Sequence, residues 1–274
     1  MKTIPGSYNA STIHRDLNSE IERLQAQVLI SWQKEAVTLE RFGLCDGMSV
    51  LELGSGPGFF TQQLLTWLPN ITVTTVEIDP LLVRKSRQLM QDQFRERLRS
   101  VEASVMDMEL PNNSFDFAIA RLLFQHLPDP IGAARKILNL LKPGGKLVII
   151  DEDADIQWAA YPKIPELPSL LEKDSQLRAS QGGNACIGRQ LWRILREAGF
   201  TKLDLEAVVF HSDEIGIKPF LAQLDSDLLS SHIKAGFVTE LERQNFIAAC
   251  EKFLGANDPL IMGLWLLACG EKPH

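Results

Sequence analysis

The stretch Val50-Leu51-Glu52-Leu53-Gly54-Ser55-Gly56-Pro57-Gly58 decides how the rest of the chain is read. Strand-forming residues run into glycines at alternate positions, and Phe59-Phe60-Thr61-Gln62-Gln63-Leu64-Leu65 continues as a helix. A backbone that turns so tightly needs residues that adopt positive φ and carry no Cβ to hold a ligand away. At the carboxyl end of a parallel strand, such a turn is where nucleotide-like ligands sit. Downstream, Ile71-Thr72-Val73-Thr74-Thr75-Val76 reads as a second, β-branched strand ending in Glu77-Ile78-Asp79-Pro80. A carboxylate at that tip is placed to accept two hydrogen bonds from a ribose diol.

The glycine spacing also says which nucleoside is a poor fit. A dinucleotide fingerprint, G-x-G-x-x-G, uses its third glycine for close helix–strand packing. Here Gly58 comes one place early, and Phe59 occupies the position that should be small. Glu52 lies just upstream and the loop has no Lys or Arg, which suits a ligand with an amine better than one with phosphates. A P-loop, G-x-x-x-x-G-K-[S/T], is absent.

With these features in place, the chain resembles class I S-adenosylmethionine-dependent methyltransferases. The resemblance covers residues 46 to 155 closely, through several motifs in order. Glu52-Leu53-Gly54-Ser55-Gly56-Pro57-Gly58 is similar to the family's glycine motif, which implies that Glu52, Gly54, Ser55 and Gly56 meet the methionine end of S-adenosylmethionine. Glu77 resembles the ribose acid, with Ile78 beside the adenine. Asp107 in Val105-Met106-Asp107-Met108 resembles the adenine-facing acid, with Met108 next to it. Phe117 to Pro130, containing Arg121-Leu122-Leu123-Phe124-Gln125-His126-Leu127, is similar to the fourth-strand segment, and Leu140 to Ile150 to the turn into strand five. Arg121 is a candidate for the cofactor carboxylate, in competition with a salt bridge. Upstream, Tyr8, Glu20-Ile21-Glu22-Arg23-Leu24 and Gln27 resemble the N-terminal lid of bacterial small-molecule methyltransferases, which nominates Tyr8 and Gln27 as cofactor contacts.

The resemblance implies a Rossmann-like α/β fold: a mainly parallel seven-stranded sheet whose last strand is antiparallel, inserted between the fifth and sixth. The strand and helix signals alternating from Met48 to Ile150 independently point to a parallel sheet with right-handed crossovers. Residues 18 to 42 read as one amphipathic helix, with Ile21, Leu24, Val28 and Trp32 on one face. Residues 1–45 are therefore expected to form a helical lid and 46–274 the methyltransferase domain. Regularity stops after Asp151-Glu152-Asp153. Cap insertions are expected at about 154–185, read as a cap or mobile loop, and at about 213–257, mostly helical.

Composition bounds the partners. The 274 residues are 45% hydrophobic and 23% charged, ordinary values for one large core. A net charge of −7 argues against a nucleic-acid backbone, whose partners need a basic face. The tetrapeptide Asn/Asp-Pro-Pro-aromatic, typical of enzymes that methylate nucleobase or amide nitrogens, is replaced by Ala120-Arg121-Leu122-Leu123. Cys45, Cys186, Cys250 and Cys269 have no metal-ligand spacing, so no metal site is expected and the thiols read as reduced. The N-terminus lacks the apolar core of a secretory signal, and the apolar run Leu260 to Cys269 is about half a membrane span. These features predict a cytoplasmic monomer or homodimer with no membrane or nucleic-acid partner.

Methyl transfer from a sulfonium is an in-line displacement in which the protein mainly supplies position. His126 is the candidate base, against the alternative of a structural histidine. Glu152, Asp153, His211, Trp158, Tyr161 and His14 are weaker candidates for the same cavity. The expected acceptor is a small organic O, N or C nucleophile, with secondary metabolites in view. The alternatives are a non-catalytic cofactor-binding scaffold and a repurposed cyclase or decarboxylase of the same fold.

Overall fold

Side chains alternate across a strand, so a strand buried on both faces feeds two cores at once. Val50, Phe117, Ile119, Val148 and Ile150 join one apolar cluster, while Leu51, Leu53, Ala118, Leu147 and Ile149 join a second. The computed structural model describes Tyr8, residues 17–90 and residues 93–274. In it these strands lie at the centre of an eight-stranded sheet.

Strands β1 (Ser49–Leu53), β2 (Thr72–Glu77), β3 (Leu98–Glu102), β4 (Phe115–Arg121) and β5 (Leu141–Asp151) are mutually parallel. They alternate with helices α3 (Phe59–Trp67), α4 (Pro80–Met90) and α5 (Pro130–Leu140). The order β3-β2-β1-β4-β5 reverses direction between β1 and β4. Crevices at such reversals, outside the carboxyl ends of the strands, are where open α/β sheets bind ligands. The last strand, β8 (Leu260–Glu271), runs antiparallel to β5 and to β7 (Thr201–His211), as the resemblance implies. Ile261, Trp265, Leu267 and Cys269 enter one core and Leu266 and Ala268 the other, so the apolar run Leu260 to Cys269 is a sheet strand. No helix among the described residues is long and apolar enough to cross a membrane.

Two expectations change. Residues 18–42 form two helices, α1 (Leu17–Leu29) and α2 (Trp32–Arg41). The break falls at Ser31, whose hydroxyl donates to Glu35 (2.6 Å) and accepts from the Trp265 indole (3.0 Å). The sheet has one strand more than expected: β6 (Trp158–Tyr161) pairs with residues 260–263 of β8, inside the segment read as cap or mobile loop. Trp158 anchors it, edge-on to Phe210, Phe220 and Trp265.

The remaining cap is helical. It comprises α6 (Leu167–Ser180), then α8 (Ser212–Ile215), α9 (Lys218–Leu221), α10 (Leu229–Lys234) and α11 (Glu240–Leu254), while α7 (Leu191–Ala198) packs beneath the sheet's second core. Thr239 and Glu242 form a reciprocal capping box that fixes the start of α11. Helix α1 is tied to the cap in both directions: Arg23 Nη1 donates to Gln223 Oε1 (3.0 Å) and Gln223 Nε2 donates to the Arg23 carbonyl (3.0 Å).

Candidate active site

Strand β1 delivers Glu52 to the crevice, and the glycine turn that follows forms its floor. Gly56 has φ +55°, lines the cavity, and has open space where a Cβ would project. Gly58 starts α3 at φ +89°, and a Cβ there would lie 2.6 Å from both Met90 and Ser86. One position keeps the cradle open, and the other lets α3 and α4 close behind it. The cavity has a volume of about 410 Å³ and runs from this turn past His126 to the cap.

Glu77, at the tip of β2, is buried and already busy. Its Oε2 accepts from Gly56 N (2.8 Å), and its Oε1 accepts from Ile78 N (2.8 Å) and Asp79 N (2.9 Å). A carboxylate has about four acceptor sites, so these bonds leave room for about one ribose hydroxyl, not the expected two. Burial raises its pKa against the pull of the three N–H groups. Ile78 lies beside it on the cavity wall.

Glu52 is 2% exposed, and Thr61 Oγ1 donates to its Oε2 at 2.6 Å. Burial pushes its pKa up to about 8, so the carboxyl is protonated at neutral pH in the ligand-free protein. The stability linked to this group is complete below about 4.5, its ordinary value, and is lost as pH rises through 8. Glu52→Gln is therefore expected to flatten that decline. Melting temperatures of variant and wild type should diverge, in the variant's favour, from pH 5 to pH 8; parallel curves would contradict a raised pKa.

The adenine-facing assignment shifts. Asp107 is exposed and Met108 is buried in the second core; neither lines the cavity. Strand β3 ends at Glu102, so Ala103, Ser104 and Val105 are the residues that reach the wall, and Asp107 lies one turn farther on. Ser104 Oγ accepts from Met106 N at 3.1 Å.

Arg121 lines the cavity, but its guanidinium is held from behind. Nε donates to Glu35 Oε2 (2.9 Å), and Nη2 donates to Glu35 Oε1 (3.0 Å), Ser31 Oγ (3.1 Å) and the Gln27 carbonyl (2.9 Å). Of its two anticipated roles, the structure displays the salt bridge. Gln27, Tyr8, Ser55 and Gly54 are also on the wall. The Tyr8 hydroxyl donates to Glu20 Oε1 (2.8 Å), and its ring lies 5.4 Å from the His126 ring. Burial first, then Glu20, raises the tyrosine pKa, so the phenol stays protonated.

His126 sits in the 3₁₀ turn Phe124–His126 just after β4. Burial lowers its pKa well below 6.5, with Arg178 adding to the effect, so the imidazole is neutral at physiological pH. Of the weaker candidates, Glu152 and Trp158 line the cavity; Asp153, His211 and Tyr161 do not, and His14 is outside the described residues. Asp153 is instead paired with Arg189.

Sequence reasoning missed a polar network beneath the cap. Arg178 bridges Glu152 (2.7 Å) and Asp174 (2.6 Å), His232 Nε2 meets Asp174 Oδ1 (3.0 Å), and Gln157 donates to Glu152 (2.6 Å). These residues come from separate segments that share no spacing. Local signals were limited to same-face helix pairs: Asp174-x-x-x-Arg178 within the network, and Glu20-x-x-Arg23, joined at 2.7 Å, on α1.

S-adenosylmethionine fits this lining. Its methionine, sulfonium and net positive charge match an open glycine cradle, a buried carboxyl with one side-chain partner, and a wall carrying Glu77, Glu152, Asp174 and Asp225.

Comparison with known proteins agrees. A methyltransferase-domain family profile matches residues 51–149. The malonyl-[acyl-carrier protein] O-methyltransferase of Paenibacillus sp. is 24% identical over 69% of this chain and 67% of its own length. The chain spans 54%, 47% and 59% of three other curated relatives. Phosphoethanolamine N-methyltransferase 2 of Haemonchus contortus superposes with TM-score 0.59 at 18% identity, over 89% of this chain and 53% of that one. The [4+2]-cyclase SpnF superposes with TM-score 0.55 at 22% identity, over 97% and 85%. At these identities the structures speak for the fold alone. Residues 51–149 match a methyltransferase domain, and the motifs and topology around them are like those of class I S-adenosylmethionine-dependent methyltransferases.

Proposed function

We propose that the protein transfers the methyl group of S-adenosylmethionine to an O, N or C nucleophile of a small molecule held between the glycine turn and the cap. One observation carries this reading: a single cavity has the cofactor cradle at one end and His126, Trp158 and the cap helices at the other. A cofactor-only scaffold has no use for that second chamber. The cofactor supplies an activated methyl group; the chain's residues bind, orient and exclude water. Glu77 takes a ribose hydroxyl, Glu52 and Ser55 face the methionine end, and His126 takes a proton from an acceptor that arrives protonated.

The test is transfer of labelled methyl from S-adenosylmethionine to a metabolite panel. Label in a product supports the proposal. Conversion of a substrate without label would favour the cyclase reading, which likeness to SpnF over 97% of the chain keeps in view. Glu77→Ala is expected to weaken S-adenosylhomocysteine binding by about 1–3 kcal/mol, through the lost ribose bond and the release of Gly56, Ile78 and Asp79. Calorimetry giving an unchanged affinity would remove Glu77 from the site.

A further inference from the structure

Gln125 adjoins the candidate base, and its backbone is fixed from two sides. Its N–H donates to Asp151 Oδ2 (3.1 Å), and its carbonyl accepts from Asn184 N (2.7 Å). Gln125 is among the residues that line the cavity and is only 3% exposed, yet among the described residues its buried Oε1 has no hydrogen-bond partner. An unmet buried acceptor carries a free-energy penalty and needs a reason. A donor that arrives with the ligand supplies one.

The charges around it narrow the ligand. Each arginine on the wall is matched by an acid: Arg23 by Glu20 (2.7 Å), Arg121 by Glu35 (2.9 Å), and Arg178 by both Glu152 (2.7 Å) and Asp174 (2.6 Å). His232 faces the same Asp174, and among the described residues no lysine contributes to the wall. A phosphate or carboxylate entering this chamber would lose its water without gaining an uncommitted cation. The cap contributes Leu167, Leu170, Leu171, Leu228, Leu229 and Phe246, a surface suited to an apolar skeleton.

We propose that the methyl acceptor is a largely apolar molecule bearing a hydroxyl or amine N–H donor, which it presents to Gln125, and no phosphate or carboxylate. This rests on the methyltransferase reading and adds the class of substrate to it. Gln125 is a specificity-determining residue in this account, and His126 keeps the chemistry.

Calorimetry on the full chain saturated with S-adenosylhomocysteine tests it with probes of one skeleton: 2-naphthol, 2-naphthoate, 2-naphthyl phosphate and 2-methoxynaphthalene. 2-Naphthol is expected to bind about tenfold more tightly than either anion. Gln125→Leu is expected to weaken 2-naphthol about tenfold and to leave 2-methoxynaphthalene, which cannot donate, unchanged. The variant's affinity for S-adenosylhomocysteine checks its folding, and the comparison of anions in the wild type does not depend on the variant. The inference is overturned if either anion binds as tightly as 2-naphthol, if 2-naphthol does not bind, or if the variant binds it normally. Failure of the wild type to bind S-adenosylhomocysteine at all would instead sink the underlying methyltransferase reading, so the two failures are distinct.

Discussion

Replacing His126 by asparagine is expected to lower labelled-methyl turnover by about 100- to 10,000-fold, the usual reach of a positioned base. Affinity for S-adenosylhomocysteine should be unchanged, because the glycine turn and Glu77 lie at the other end of the cavity. The turn after β4 fixes the residue: His126 N donates to the Leu123 carbonyl at 2.9 Å, and the Tyr8 ring packs 5.4 Å from the imidazole. Burial keeps the ring neutral, but a lowered pKa also makes it a weaker proton acceptor. The effect should therefore fall toward the smaller end of the range. The same shift sets the pH dependence. Turnover is lost only as pH drops through the folded-state pKa, so the acid limb should lie well below 6.5, the ordinary histidine value. A limb at or above that value, or a variant with normal turnover, would return His126 to a structural role.

Arg121→Ala is expected to cost about 3–5 kcal/mol of folding stability, since it strands a buried carboxylate. Glu35 is fully buried, and both of its oxygens accept from the Arg121 guanidinium. The Gln27 carbonyl and the Ser31 hydroxyl lose a donor at the same time. Replacing both partners, Arg121→Leu with Glu35→Leu, should recover most of the loss, because no buried charge is then left alone. Urea unfolding measures both. A single-variant loss below about 1 kcal/mol, typical of exposed pairs, would mean that water reaches Glu35.

The parts of the site built from local sequence were the most legible. The glycine turn and Glu77 sit on consecutive strand tips, so spacing along the chain translates directly into position in the crevice. Asp107, expected on the adenine from its likeness to the family's motif, is off the wall because β3 ends at Glu102; two residues separate Val105 on the wall from Asp107 on the solvent face. Arg121 could be placed at the end of β4 but its partner could not, since Glu35 is 86 residues away with no motif linking the two. The break at Ser31 was hidden for the same reason, because the hydroxyl's partners include Trp265, near the other end of the chain. The Arg178 network was the least legible: Asp174 and Arg178 share a helix face, but Glu152 and His232 come from outside that helix and nothing in the spacing joins them.

The reciprocal pair between Arg23 and Gln223 has a consequence for traffic. Because each residue both gives and receives, parting α1 from the cap at this point breaks both bonds together. Pace in such an arrangement can belong to the latch rather than to bond-making.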